Sequence, residues 1–195
     1  LVHRLDRNVG GTMIFAKTSK GASRLSEEMR RARFRKGYFA LAEGRFDAAA
    51  GTEGVLIHHL YKDEKRNIVT DDPKRGKESV LAYRIVGVWK NYTVVFAVPI
   101  TGRTHQIRAQ LAFSGHPLVD DVKYGGTRVT TGTVSYPALW SAMICVKHPT
   151  SAEILDFRSA PYPMQPWNPA VIGLCDNFLK GFHHDELDRL YGLWH

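Results

Sequence analysis

The fold is decided by two apolar runs in the middle of the chain, VLAYRIVGV at residues 80–88 and YTVVFAV at residues 92–98. Both runs are rich in β-branched and aromatic residues, which favour strands. A short connection that contains Lys90-Asn91 separates them, so the spacing predicts an antiparallel β-hairpin. The other predicted strands also mostly follow one another directly along the chain. We therefore expect an α+β fold with a largely antiparallel sheet.

The segment TGRTHQIR follows this hairpin at residues 101–108. It groups guanidinium, imidazole and amide donors at the start of a predicted helix, where free backbone N–H groups also attract anions. We expect Thr104 to cap this helix, Ile107 and Leu111 to face the core, and Ser114-Gly115 to end it. Such a cluster is suited to bind a phosphate or a carboxylate.

The segment LVHRLDR opens the sequence at residues 1–7 and places the carboxylate of Asp6 beside Arg4 and Arg7. Opposite charges at this spacing stabilise the ionised carboxylate. The run from Gly11 to Lys17 predicts a strand, which would hold Asp6 at the end of a sheet. Together with the basic cluster, this arrangement suggests an acidic nucleophile that acts on a polyanion.

The remaining segments predict a succession of helices and strands. Thr18 or Ser19 is expected to cap a helix whose apolar residues recur at three- and four-residue steps. These residues are Ala22, Leu25, Met29 and Ala32. We expect a strand at 38–42, short strands and turns between 46 and 72 with a solvated turn at 62–67, and a second hairpin from 139–146 and 153–157. Asn168-Pro169 opens the last predicted helix.

Composition narrows the choice of partners. The 195-residue chain carries 27 lysines and arginines against 19 aspartates and glutamates, which gives a net charge of +8. This excess favours a nucleic acid or another anionic surface as partner. Two cysteines are too few for a disulfide framework, and no apolar run is long enough to span a bilayer. We therefore expect a cytoplasmic monomer that does not bind membranes and keeps Cys145 and Cys175 as buried free thiols.

Four ordered motifs resemble those of the RluA family of pseudouridine synthases. They are HRLD at 3–6 with Gly11 and Lys17, KGYFA at 36–40 with Gly44, GRTHQIR at 102–108 leading into GHPLVDD at 115–121 with Tyr124, and His148-Pro149 with the strand beside it. Their order and spacing agree over residues 1–165, and four motifs in order are much more specific than any one alone. The chain departs from the family where Val9 and Gly10 replace hydroxyl residues and where Leu139-Trp140-Ser141 replaces a Leu-His-Ala element.

The resemblance implies an isomerase without a cofactor that detaches the base of a uridine in RNA, turns it, and rejoins it through carbon. It implies an α+β domain with flanking helices and a central cleft over residues 1–165, followed by a C-terminal helical extension over 166–195. Catalytic domains of the family begin further upstream with a strand and a Lys-Pro turn. We therefore expect this segment to lack N-terminal strands of the sheet.

Carried over residue by residue, the resemblance makes Asp6 the catalytic carboxylate and Arg108 its ion-pair partner. Tyr38 would pack on the target base and could help to move a proton, while Arg4 would enter the RNA as the nucleotide is flipped out. The motifs place three basic segments beside one cleft, and RNA contacts are expected from Arg4, Arg7, Lys36, Arg103, His105 and Gln106. The expected partner is a tRNA or a ribosomal RNA.

Two other functions stay open from the residues alone. An inactive or truncated relative could bind RNA through the same basic cleft without chemistry, and a turnover assay separates it from an enzyme. A hydrolase that uses Asp6 and His105 is more distant, because no partner that would activate water is evident. The histidine pairs at 58–59 and 183–184 do not predict a metal site, because adjacent strand residues point to opposite faces and no further ligand is suitably spaced.

Overall fold

The computed structural model describes residues 2–31, 33–46, 51–131, 133–151 and 153–194. Its strands are β1 (Gly10–Gly11), β2 (Arg35–Glu43), β3 (Glu53–Asp63), β4 (Ile68–Asp71), β5 (Lys77–Trp89), β6 (Tyr92–Pro99), β7 (Leu139–Lys147) and β8 (Ile154–Arg158). Its helices are α1 (Ser19–Arg30), α2 (Gln106–Phe113), α3 (Pro169–Gly181) and α4 (His184–Gly192). A 3-10 turn covers Val122–Tyr124.

The strands form one mixed sheet in the order β1-β7-β2-β6-β5-β3-β4, and β8 pairs with β7 beside β1. Only the short pairing of β1 with β7 is parallel among the described strand pairs. The expected α+β class with a largely antiparallel sheet is therefore confirmed. The β5–β6 and β7–β8 hairpins are also confirmed, and the first turns at Lys90 with a φ of 55°.

The centre of the sheet is buried on both faces because helices cover each side. Along β2, Tyr38 and Ala40 pack in a cluster with α2, while Phe39 and Leu41 pack in a second cluster with α3 and α4. A strand covered on both faces needs apolar residues at every position rather than at alternate ones. This explains why the runs at 80–88 and 92–98 are almost continuously apolar.

Helix α1 begins where the sequence predicts it. The hydroxyl of Thr18 accepts a hydrogen bond from the N–H of Gly21 at 3.1 Å, which makes Thr18 the N-cap. Leu25 is buried against Phe34 and the edge of β7. The expected apolar position at 32 lies outside the described residues.

Two strand predictions are wrong. The predicted strand from Gly11 to Lys17 is reduced to Gly10–Gly11. The last hydrogen bond of its ladder to β7 is the one that the N–H of Thr12 donates to the carbonyl of Ser141 at 2.8 Å. Beyond it the N–H of Ile14 bonds to a side chain, Nε2 of His3, at 3.1 Å. The segment 46–72 holds one long strand, β3, rather than only short ones, and β3 extends through Lys62 and Asp63, so the exposed turn predicted at 62–67 is confined to 64–67.

The C-terminal region contains one helix more than predicted. Asn168 caps α3 as expected, but α3 is followed by α4, which begins with a capping box formed by His183 and Glu186. Both helices pack into the core cluster of the sheet, where Val171 and Leu190 are buried. Cys175 on α3 and Cys145 on β7 are buried free thiols, as predicted, and burial raises their pKa to about 12 and about 11.

No helix within the described ranges is both long and apolar enough to cross a bilayer.

Candidate active site

A tight turn fixes Asp6 at the end of β1. The N–H of Val9 donates to the carbonyl of Asp6 at 3.1 Å, and Asn8 adopts a left-handed conformation with a φ of 67°. The side-chain amide of Asn8 also donates to the carbonyl of Ser135 at 3.0 Å. The turn is thus tied to the sheet on one side and to the loop before β7 on the other.

The glycines after this turn allow it to approach β7 closely. Gly11 has a φ of 118°, and a Cβ at Gly10 would lie 2.5 Å from Cζ3 of Trp140. The indole therefore occupies the space that a side chain at position 10 would need. Gly10 and Trp140 are two of the departures from the RluA pattern, and they lie against each other, so the large indole requires a residue without a side chain at position 10.

Arg108 links Asp6 to a second carboxylate. Its Nη1 lies 3.5 Å from Oδ2 of Asp6, so the predicted ion pair is present. The shorter contacts go to Asp121, whose two carboxylate oxygens each accept a hydrogen bond from Arg108 at 2.7 Å. Burial lowers the pKa of Arg108, but the hydrogen bond with Asp121 and the charges of Asp121 and Asp6 together outweigh it, so the net shift is upward. Asp121 was missed as a site residue, although it lies within the GHPLVDD motif.

Asp120 fixes the backbone beside this buried pair. It is fully buried with a φ of 63°, and its carboxylate accepts hydrogen bonds from the N–H groups of Val129, Thr130 and Tyr136. Burial alone would raise the pKa of Asp120, but these N–H groups lower it below its usual value. The backbone at Val129, Thr130 and Tyr136 is therefore anchored on one ionised carboxylate.

His105 lies in the cleft wall and contacts a tyrosine hydroxyl. The hydroxyl of Tyr124 accepts the N–H of Val69 at 3.1 Å and lies 2.8 Å from Nδ1 of His105. Burial raises the pKa of Tyr124 to about 12, so this hydroxyl keeps its proton and can donate a hydrogen bond. Burial, and then the charge of Arg108, lower the pKa of His105, which favours its neutral form.

The start of α2 differs from the prediction. His105, with a φ of 51°, is the N-cap residue in place of Thr104 and makes no side-chain capping bond. The loop is stabilised instead by Gln106, whose Oε1 accepts from the hydroxyl of Thr101 and the N–H of Arg103, both at 2.9 Å. Gln106 is only 4% exposed, so its amide braces the loop at the cleft, and its contact with RNA stays a prediction. Ile107 and Leu111 face the core as expected.

These elements enclose a cleft of about 350 Å³. Seven of the predicted site residues line it, namely Arg4, Asp6, Lys36, Tyr38, Arg103, His105 and Gln106. Arg7 is exposed but lies outside the cleft lining, and Arg108 is buried behind Asp6. Within the described ranges, no group of three or more His, Cys, Asp or Glu side chains could hold a metal ion.

Tyr38 and Lys36 are perturbed by their position in this cleft. Burial first, and then the neighbouring Tyr191 and Asp6, raise the pKa of the Tyr38 hydroxyl well above its usual value. Burial lowers the pKa of Lys36. Tyr38 therefore keeps its proton at neutral pH and can donate a hydrogen bond, but it is poorly suited to act as a base.

The family model described as RNA pseudouridylate synthase matches residues 1–113. The chain belongs to this family. It is 35% identical over 163 residues to ribosomal large subunit pseudouridine synthase C of Vibrio cholerae, a match that covers 82% of this chain and 50% of that protein. It is 31% identical to ribosomal large subunit pseudouridine synthase D of Haemophilus influenzae over 96% of this chain and 59% of that protein. The chain thus spans about half the length of these relatives.

Solved structures support the fold of this RNA pseudouridylate synthase family member. The human RNA pseudouridylate synthase domain containing 1 superposes with a TM-score of 0.69 at 22% identity, over 89% of this chain and 71% of that one. The human RNA pseudouridylate synthase domain containing 4 gives a TM-score of 0.66 at 19% identity, over 92% and 75% of the two chains. At these identities the likeness bears on the fold alone.

Proposed function

We propose that this chain carries the catalytic cleft of an enzyme that converts uridine to pseudouridine in RNA. The observation that carries the proposal is the placement of Asp6. Its carboxylate lines a cleft with several cationic side chains and is paired with a buried arginine at 3.5 Å. Membership of the RNA pseudouridylate synthase family supports the same reaction.

The reaction is an isomerisation that needs no net oxidant or reductant. The bond between N1 of uracil and C1′ of the ribose breaks, and a bond between C5 and C1′ forms. C5 gives up its proton, and N1 gains one. Asp6 supplies the carboxylate oxygen for this exchange, either as a nucleophile or as the base, and Arg108 holds it in place through the ion pair at 3.5 Å.

The other cleft residues bind and hold the flipped nucleotide. Unstacking a base from structured RNA costs roughly a few kcal/mol. Stacking on Tyr38 and insertion of Arg4 into the vacated position offset this cost. Lys36 and Arg103 lie on the two sides of the cleft and contact phosphates, while the imidazole of His105 offers one further polar contact.

The RNA of the large ribosomal subunit is the favoured substrate. The bacterial relatives are named ribosomal large subunit pseudouridine synthases, whereas a tRNA substrate has no comparable support. We assign catalysis to residues 1–165 with a helical extension at 166–195, acting in the cytoplasm. Since one chain supplies all of these cleft residues, the proposed unit is a monomer.

A modification assay tests this function. Unmodified large-subunit ribosomal RNA and, in parallel, unmodified tRNA are incubated with the protein, treated with carbodiimide, and mapped by primer extension. We expect new stops at defined uridines in the ribosomal RNA. RNA that shifts in a gel without acquiring any stop would instead identify an RNA-binding module, and stops in tRNA alone would reject the ribosomal substrate.

A further inference from the structure

The β2–β6 ladder is interrupted at the floor of the cleft. Strand β2 pairs with β6 in a register that places Tyr38 opposite Ala97. Continued by two residues, this register places Lys36 opposite Pro99. The N–H of Gly44 donates to the carbonyl of Asn91 at 2.9 Å. In an antiparallel ladder the N–H of every second residue points to the same neighbouring strand, and Lys36 lies an even number of residues from Gly44. The N–H of Lys36 should therefore meet the carbonyl of Pro99.

A tyrosine hydroxyl takes the place of that bond. The oxygen of Tyr191 accepts the N–H of Lys36 at 3.4 Å and donates to the carbonyl of Pro99 at 3.1 Å. Burial raises the pKa of Tyr191 to about 12, so the hydroxyl keeps the proton that it donates. The two strands are bridged through one oxygen atom where they would otherwise bond directly.

Tyr191 reaches this position from the opposite face of the sheet. Its ring belongs to the core cluster under α3 and α4, whereas Tyr38 belongs to the cluster on the α2 side. Nevertheless, Tyr191 lines the same cleft as Tyr38 and Asp6. The phenol therefore extends through the sheet at the point where β2 and β6 separate.

Helix α4 is held in place by ion pairs to three different strands. Asp188 pairs with Arg35 on β2 at 3.0 Å, Glu186 with Arg84 on β5 at 2.7 Å, and Arg189 with Glu53 on β3 at 2.7 Å. The guanidinium of Arg35 also lies 4.0 Å from the centre of the Tyr191 ring. These contacts attach α4 to the sheet that Tyr191 enters.

We propose that Tyr191 is a positioning residue for the reaction assigned above, and this inference rests on that proposed function. Its hydroxyl keeps the strand that carries Lys36 and Tyr38 apart from the loop at 100–106 that carries Arg103 and His105. This separation sets the width of the cleft that receives the flipped nucleotide. The C-terminal helix thereby completes a site whose other predicted residues all lie within the first 108 positions.

The test is Tyr191→Phe, which removes the bridging oxygen and keeps the buried ring. Because small errors in placement are costly to chemistry, we expect the single-turnover rate of pseudouridine formation to fall on the order of tenfold, while RNA affinity stays within about twofold. Amide hydrogen exchange at Lys36 should become faster. Tyr162→Phe is the matched control, because Tyr162 is exposed and lies outside the cleft lining.

A second variant separates positioning from stability. Asp188→Asn weakens the attachment of α4 to Arg35 and keeps the hydroxyl, so it should lower the melting temperature more than it lowers the rate. A Tyr191→Phe variant with wild-type turnover would overturn the inference. So would a Tyr191→Phe variant that loses no more rate per degree of lowered melting temperature than Asp188→Asn does. Wild-type protein without any turnover would overturn the proposed function together with this role.

Discussion

At the scale of single residues, the central feature is a guanidinium shared by two carboxylates. Arg108 is bonded in bidentate geometry to the buried Asp121 and lies 3.5 Å from the partly exposed Asp6. A bidentate pair fixes the guanidinium plane more firmly than a single contact does. Asp121 therefore orients Arg108, and Arg108 in turn holds Asp6 through one carboxylate oxygen.

Arg108→Ala should destabilise the fold as well as abolish activity. Asp121 is 1% exposed and would be left as an unpaired buried charge, which costs on the order of 3 to 5 kcal/mol. Thermal melting of Arg108→Ala, compared with the exposed Arg66→Ala as control, measures this loss. Asp121→Asn in the Arg108→Ala background should recover part of the stability but none of the turnover. An unchanged melting temperature for Arg108→Ala would contradict the pairing with Asp121.

At the scale of elements, the N-terminal segment is held by a neutral histidine. His3 is 6% exposed, accepts the N–H of Ile14 at Nε2, and packs edge-on against Phe34. Burial and the nearby charge of Lys36 lower its pKa from 6.5 to about 4. In its neutral form this side chain therefore ties the segment that carries Asp6 to the loop before α1 and to the residue that precedes β2.

Stability should fall as the pH falls through this range. In the unfolded chain His3 takes up a proton near pH 6.5, whereas in the folded chain it does so only near pH 4. Lowering the pH between these values therefore reduces the free energy of unfolding. We expect the melting temperature to drop between about pH 7 and pH 5, and to drop less in His3→Gln. His184→Gln, at an exposed histidine, serves as control and should follow the wild type. An equal drop in His3→Gln would assign the effect to other groups.

Periodicity and turn chemistry predicted the elements that local sequence controls, including α1 with its Thr18 cap and the two hairpins. They failed where distant contacts decide. The strand expected at 11–17 ends at Gly11, because only Gly10 and Gly11 pair with β7, which pairs with β8 from Met143 onward. Likewise, α4 and Tyr191 are defined by packing against the sheet, and Asp121 by its contact with Arg108. None of these contacts leaves a local signal in the sequence.

At the scale of the whole molecule, several of the basic residues that contribute to the net charge of +8 line one cleft. Arg4 and Arg103 are exposed cations in its lining, and Lys36 lies deeper between them. Contacts between such groups and phosphates release counterions, which makes affinity fall as salt rises. Binding of the RNA should therefore be dominated by electrostatics.

A salt titration measures this contribution. For roughly four to six phosphate contacts to single-stranded RNA, the slope of log affinity against log salt should lie between about −3 and −4. Arg103→Ala should reduce the slope by about 0.7, whereas Lys180→Ala, at an exposed position on α3 outside the cleft lining, should not change it. Affinity that stays nearly flat from low to moderate salt would contradict a phosphate-dominated interface.

The most direct test of the central claim is the single-turnover rate of pseudouridine formation by Asp6→Asn, measured beside its affinity for the same RNA. In the proposed reaction the carboxylate acts in the transition state and adds little to ground-state binding, so we expect the rate to fall below detection while affinity stays within a few-fold. Asp185→Asn, which changes an exposed carboxylate on α4, should retain the wild-type rate. Substantial turnover by Asp6→Asn would remove Asp6 from the mechanism and contradict the account.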